Sequence, residues 1–340
     1  MFPDWAWDFS TPTLLYLMDP LRRSASEFVR LCDKFDITCC YSVKANRQPK
    51  VLAAVSESGL GFDVASFEEL QVVKELDAPL IVATGPGLGT ETMVTVDEMD
   101  GIVFFDNQAQ INVAQEVDIN VNDHGVRLAI NGHYSALGFA ANEIEKLHAT
   151  GFPINKIHVH GGEYLDQHGV ERRLQFIRSI VGKTTLEVID FGGGYGVLSN
   201  NPDCLREALG MMRSFGDEMS ARIVLEPGKS IVARCGILVT TILASKERSE
   251  GQVLVVDCSS YNLGLMEVRA LSKFSGPPGV SGPTKVIGPT CYEGDVWGRF
   301  QLPRLAPGDR LIFSNMGAYT MSIAASLHGL PAPKELFIEQ

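Results

Sequence analysis

The sequence predicts an α/β fold: a (β/α)8 TIM-type barrel over residues 11–235 and a mainly β domain over 236–340, on which residues 1–10 can pack. Three observations lead there. Short β-rich runs recur at 37–43, 61–64, 80–83, 102–105, 126–130, 156–160, 186–191 and 222–226, which makes eight strands. Stretches of helical periodicity surround them, at 24–35, 49–58, 67–76, 90–99, 109–117, 141–149, 166–181 and 204–220. Strands spaced roughly 20 to 35 residues apart with helices between them match a (β/α)8 barrel of about 250 residues. A doubly wound open sheet is the alternative, because periodicity does not report closure.

Among the helices, 67–76 has the clearest start: Ser66-Phe-Glu-Glu69 fits a capping box ahead of an apolar run. The stretch 90–99 is the weakest, being rich in Thr and Val. After Arg234 the pattern changes. Segments 236–244 and 252–256 alternate or run apolar with no helix between them, and a Gly/Pro-rich stretch follows at 275–283. Another strand, 310–313, follows the turn signal Ala306-Pro-Gly-Asp309.

Composition narrows the function. The 340 residues are 45% hydrophobic and 21% charged, enough for two packed cores. The formal charge is −12, and the 29 Lys and Arg are scattered, which argues against nucleic acid or an anionic membrane as partner. No run approaches the ~20 apolar residues of a membrane span. Residues 1–10 lack the cationic flank and apolar core of a signal peptide, so the expected compartment is the cytoplasm. Seven cysteines, at 32, 39, 40, 204, 235, 258 and 291, show neither disulfide nor metal spacing, so no metal is expected.

In such a barrel the chemistry sits where strands end. The first run ends in Tyr41-Ser-Val-Lys44-Ala-Asn46, the second in Phe62-Asp63, and the fourth in Asp106. The sixth ends in His158-Val-His160-Gly-Gly162, the seventh in Asp190-Phe-Gly192-Gly193-Gly194, and the eighth in Glu226-Pro-Gly-Lys229. A lysine at the mouth, held neutral by low-dielectric walls, can form a Schiff base; the plainer reading of Lys44 is a lysine snorkelling from a strand end. Gly192 to Gly194 let successive backbone N–H groups approach an anion, although a glycine run is often only a turn. Glu226 can accept a hydrogen bond from a protonated heterocyclic nitrogen, or be a salt-bridged strand-end carboxylate. His158 or His160 can lie flat on a planar cofactor, or be satisfied by hydrogen bonds alone. Together these groups meet the needs of pyridoxal 5'-phosphate, and a carboxylate on the pyridine nitrogen favours loss of CO2.

Six motifs then carry a resemblance. Tyr41-Ser-Val-Lys-Ala-Asn46, Gly61-Phe-Asp-Val-Ala-Ser-Phe-Glu-Glu-Leu70, Asp190-Phe-Gly-Gly-Gly194, Glu226-Pro-Gly228, Gly288-Pro-Thr-Cys291 and Asn315-Met-Gly-Ala-Tyr319 stand in order along the chain. They resemble the successive motifs of the alanine-racemase-fold (fold-type III) pyridoxal-phosphate decarboxylases, which include ornithine, diaminopimelate, arginine and carboxynorspermidine decarboxylases.

The resemblance implies catalytic roles for Lys44, Cys291 and His160. Lys44 would hold the cofactor and Glu226 would pair with its pyridine nitrogen. Gly192, Gly193, Gly194, Lys229 and Tyr319 would hold its phosphate, with Asp63 and Arg127 also in the cofactor site. His160 is preferred over His158 for stacking, because His160-Gly-Gly162 aligns with the family's His-x-Gly. Cys291 would return a proton to the α-carbon in the partner subunit's site, which implies a head-to-tail homodimer. Tyr261, Glu267, Glu293, Asp295 and Tyr319 are the substrate candidates, and their acidic majority implies a cationic distal group.

Three departures stand out. Lys229 replaces the usual arginine after Glu-Pro-Gly, losing its bidentate fork. Glu163 stands where a phosphate-binding serine is common, so it should turn away or contact substrate. Ser135-Ala-Leu-Gly138 lacks the usual basic residue. The expected activity is α-decarboxylation of a diaminopimelate-like, carboxynorspermidine-like or natural-product amino acid. The alternative is a racemase on the same fold, which Glu226 disfavours because racemases there typically carry arginine.

Overall fold

The computed structural model describes residues 4–130, 136–182, 184–264 and 270–339. The chain forms two compact units, residues 22–231 and residues 1–21 with 232–340. The border expected at residue 11 therefore falls at 21. The reason is β1 (Thr13–Leu17), which pairs antiparallel with β10 (Gly236–Arg248) and parallel with β16 (Lys334–Ile338).

In the first unit, eight parallel strands close into a barrel: β2 (Ile37–Ser42), β3 (Gly61–Val64), β4 (Ile81–Thr84), β5 (Ile102–Phe105), β6 (Gly125–Arg127), β7 (Lys156–His158), β8 (Val188–Asp190) and β9 (Arg222–Leu225). Closure comes from β2 against β9, where Ile37, Thr38 and Cys39 pair with Ile223, Val224 and Leu225. This excludes the open sheet. A dry core of Cys40, Leu80, Val82, Ile102, Phe104, Val188 and Val224 forms within the barrel, as inward-pointing strand residues should.

The helices are α1 (Met18–Asp33), α2 (Pro49–Glu57), α3 (Phe67–Val73), α4 (Thr90–Glu98), α5 (Gln108–Glu116), α6 (Ala141–Ala149), α7 (Gln167–Val181) and α8 (Pro202–Met219), then a single turn, α9 (Lys229–Val232). Ser66 caps α3 by accepting the Glu69 N–H at 3.2 Å. The Glu69 carboxylate accepts from Ala65 N–H at 2.8 Å, one residue ahead of the cap itself. The strand-to-helix turn that follows Asp63 is thus fixed from both sides.

In the second unit the sheet runs β12 (Ala270–Phe274), β15 (Arg310–Ser314), β10, β11 (Gly251–Val256), β13 (Gly282–Ile287) and β14 (Val296–Leu302). Trp5, Trp7 and Phe9 pack on Ala6, Leu15, Ile237, Val239 and Ile312, so the aromatic N-terminal segment belongs to this core. No helix among the described residues is long and apolar enough to cross a membrane.

Candidate active site

The carboxyl ends of the barrel strands gather the titratable groups. Beyond β2 a 3-10 turn, Val43–Ala45, presents Lys44, whose Nζ donates to Asp63 Oδ2 at 2.6 Å. Ser42 Oγ lies 2.9 Å from the same oxygen and 3.1 Å from the Glu226 carbonyl. The Lys44 side chain is 46% exposed, whereas Asp63 is 1% exposed. Lys44 is therefore aimed by an ion pair and reaches open space, which replaces the expected desolvated lysine as the physical basis of its position. Burial and the charge of Glu226 push the Asp63 pKa up, and Lys44 opposes that shift. Its second oxygen, Oδ1, is buried without a hydrogen bond.

Glu226, which follows β9, is buried. Its Oε2 lies 3.3 Å from His158 Nε2, and its Oε1 meets no hydrogen-bond donor among the described residues. His158 is itself buried, its ring 5.6 Å from Phe104, and burial holds it well below the ordinary histidine pKa. It therefore orients Glu226 as a neutral ring. Asp190, at the end of β8, accepts the Gly192 N–H at 2.8 Å, and burial with the neighbouring Glu226 charge raises its pKa well above the carboxylate range. His158, Asp190 and Glu226 place one ligand atom each within 4.8 Å of one another, a set that could also take a divalent cation.

His160 lies beyond β7. Its Nδ1 accepts the Gly193 N–H at 3.1 Å, which puts the ring proton on Nε2, and burial lowers its pKa to about 4. A Cβ on Gly192 would stand 2.7 Å from His160 Cβ, so only glycine lets this backbone pass beside the imidazole. Gly192 and Gly194 adopt φ of +64° and +101°, and a Cβ on Gly194 would come 2.2 Å from the Gly162 carbonyl oxygen.

Beside this turn the two unusual residues meet. Lys229 Nζ lies 2.6 Å from Glu163 Oε1, and Glu163 Oε2 accepts the Val197 N–H at 3.2 Å. Glu163 neither points away nor is left repelled; its charge is matched by Lys229. Arg127, at the end of β6, has Nε 4.0 Å from Asp106 Oδ1, and that oxygen also accepts the Gly138 N–H. Its Nε is buried without a hydrogen bond.

One cluster of three side chains escaped the sequence reading. Arg173 on α7 is buried with its guanidinium 4.0 Å from the centre of the Tyr164 ring, and Tyr164 stacks on Tyr195 at 5.3 Å. The signal was available: Val170, Arg173, Ile177 and Val181 share the buried face of α7, so the arginine falls within an apolar stripe.

The remaining candidates lie in the second unit. Cys291 is an exposed free thiol and Glu293 is exposed. Tyr261 packs edge-on against Tyr292 at 5.2 Å. Cys291, Tyr292 and Glu293 line, with Lys285, Thr290 and Arg299, a cleft of about 690 Å³. Asp295 is held by hydrogen bonds from its own loop and from Ser260. It is buried; Oδ1 accepts from Ser260 N–H and Oγ at 2.9 Å each, and Oδ2 from Thr290 Oγ1 at 2.8 Å and Thr290 N–H at 3.4 Å. Those donors saturate the carboxylate, so it stitches the loop that carries Cys291, while still bordering the cleft that Cys291 and Glu293 line. Tyr319 has φ of +49° and follows Gly317, where a Cβ would meet the Val232 carbonyl oxygen. Glu267 and Ser135 fall outside the described residues.

The groups in the barrel fit pyridoxal phosphate. A buried carboxylate oxygen without a partner, at Glu226, suits a pyridinium N–H, and the glycine turn leaves no room for side chains where a phosphate would approach. Comparison with known proteins agrees. Residues 19–233 match the pyridoxal binding domain of the pyridoxal-dependent decarboxylases. Diaminopimelate decarboxylase of Helicobacter pylori (strain J99) is 24% identical over a 370-residue alignment covering 97% of this chain and 91% of the relative. The structure of carboxynorspermidine decarboxylase from Campylobacter jejuni with norspermidine superposes with a TM-score of 0.82 at 21% identity, covering 98% of this chain and 95% of the other. That of Helicobacter pylori diaminopimelate decarboxylase with L-lysine gives 0.83 at 22%, covering 99% and 93%. At that identity the two structures share the fold. A closed barrel with a lysine, a buried carboxylate and a glycine turn at one mouth, matched along 19–233, makes this chain a member of the pyridoxal-dependent decarboxylase family.

Proposed function

We propose that the protein is a pyridoxal-phosphate-dependent α-decarboxylase of an amino acid with a cationic distal group, acting as a head-to-tail homodimer. The observation that carries this is Glu226: a buried carboxylate with one oxygen oriented by His158 and the other, among the described residues, meeting no hydrogen-bond donor, in the same barrel mouth as Lys44. Bound pyridoxal phosphate supplies an electron sink for the pair left on the α-carbon as CO2 departs. Lys44 would hold the cofactor covalently, and Asp63 positions that amine. Glu226 would keep the proton on the pyridine nitrogen. His160, neutral at physiological pH and less buried than His158, would lie on the ring. Lys229, Tyr319 and the turn at Gly194 would hold the phosphate, with Gly192 and Gly193, whose N–H groups go to Asp190 and His160, giving the backbone room beside it, and Arg127 would add positive charge to the cofactor site.

Cys291 would deliver a proton to the α-carbon in the partner's site; its exposed thiol supports a role outside its own packing. Tyr261 and Glu293 would meet the distal end of the substrate. The relatives named above act on diaminopimelate and carboxynorspermidine, which accords with an amine-bearing distal group. The carboxylate of Glu226 disfavours the racemase reading. Seven free cysteines suit a reducing compartment such as the cytoplasm.

Borohydride reduction of the holoprotein should fix a pyridoxyl group on Lys44, read by peptide mass spectrometry. Modification elsewhere would remove the basis of the assignment. A CO2-release screen over basic amino acids, diaminopimelate, carboxynorspermidine and larger adducts identifies the substrate, and proton exchange at the α-carbon without CO2 would favour racemisation.

A further inference from the structure

The two residues that depart from the family pattern beside the glycine turn are each other's partners. Lys229 Nζ and Glu163 Oε1 are 2.6 Å apart, and Glu163 Oε2 takes the Val197 N–H at 3.2 Å. This pair lies over Gly196, where an added Cβ would stand 2.5 Å from Lys229 Cε and 3.1 and 3.2 Å from the two Glu163 oxygens. One turn back, a Cβ on Gly194 would come 3.2 Å from Glu163 Cα. An ammonium and a backbone N–H at a glycine turn are the donors a phosphate would use. Here a carboxylate of the chain already has both.

From this juxtaposition we propose that Glu163 is a resident anion of the phosphate cradle: it neutralises Lys229 and occupies the Val197 N–H, and an incoming phosphate must displace it. The inference rests on the pyridoxal-phosphate reading of the site and goes beyond it by naming what opposes cofactor binding. A second anion entering the cradle meets like charge, which costs far more in a partly buried site than in water. Glu163 thereby ties the cofactor-free turn together and sets how much of the cofactor's affinity its phosphate can supply.

The test compares pyridoxal phosphate with pyridoxal, because the ratio of their affinities isolates the phosphate. Binding to the wild-type protein, Glu163→Gln and Glu163→Ser is measured by equilibrium dialysis, with folding of each checked by circular dichroism. The ratio should rise about tenfold or more in a folded variant, since the opposing charge is gone. A ratio unchanged or lowered in every folded variant overturns the proposal and makes Glu163 a support for Lys229. Titration of the cofactor-free proteins with inorganic phosphate reads the same cradle without Lys44 chemistry: the variants should bind it about tenfold more tightly than wild type, and equal or weaker binding overturns the proposal. Failure of the cofactor reading is separate and shows as wild-type protein that takes no pyridoxyl group at Lys44.

Discussion

At the scale of single residues, the site works by making neighbours unequal. His158 and His160 are two residues apart, yet one is sealed against Phe104 and bound to Glu226, while the other accepts from Gly193 and is only partly buried. The sequence preferred His160 for the ring with His158 as runner-up, and the shallower burial of His160 supports that proposal. The pKa of His160, about 4, lies below its ordinary 6.5. The unfolded chain therefore takes up this proton first, so stability is fully present above about 6.5 and is lost as pH falls towards 4. His160→Gln should flatten that decline by on the order of 1–3 kcal/mol, measured by urea unfolding at pH 7 and pH 4.5. His158, shifted the same way, leaves a residual slope in the variant. An unchanged slope would mean that His160 is not held neutral by burial.

At the scale of elements, turns carry the function. Gly194→Ala would force a Cβ against the Gly162 carbonyl at φ +101°, and should cost about 2 kcal/mol or more in denaturant unfolding while weakening cofactor binding. Wild-type stability and cofactor affinity in that variant would exclude a close approach there. In the second unit, Asp295→Ala removes an acceptor shared by four donors and should cost about 2–4 kcal/mol, with faster proteolysis of the 288–295 loop. If Asp295 contacted substrate instead, the change would raise KM and leave stability alone.

The barrel strands were legible in the sequence because each is a short β-rich run fenced by helices, and all eight fall on or within two or three residues of the expected spans. Strand β14 was not legible. Its residues alternate Trp297, Arg299, Gln301 with Gly298, Phe300, Leu302, and a bulge at Trp297, beside Gly298 at φ +151°, shifts the register at the start of the strand and blurs the period. Strand β12, with Ser272 and Lys273 amid partly buried neighbours, lacks an apolar face altogether. At the site, Lys44, Asp63 and Glu226 were readable as strand ends. The Glu163–Lys229 pair was not, since a single sequence shows two anomalies and never their contact.

At the scale of the whole molecule, the proposed assembly predicts function that no single chain provides. Lys44→Ala and Cys291→Ala subunits, each inactive or impaired alone, should regain part of the CO2 release when refolded together, up to about a quarter of wild type if one of the two shared sites is restored in half the dimers. Light scattering must show heterodimers in the same sample. Heterodimers without recovered turnover would place Cys291 and Lys44 in the same chain's site.

The strand β1 has a consequence for how the chain is made. It precedes every barrel strand in the chain, yet its partners are residues 236–239 and then 334–338. Residues 37–225, the barrel strands, can close while β1 still waits with both edges bare. Only the final strand covers its second edge. A nascent chain stopped shortly before residue 334 would therefore carry a folded barrel and an apolar strand, Leu14, Leu15 and Tyr16 among its residues, open along one side. Such a chain should be a better client for chaperones, and a worse survivor in the cell, than one in which β16 has paired.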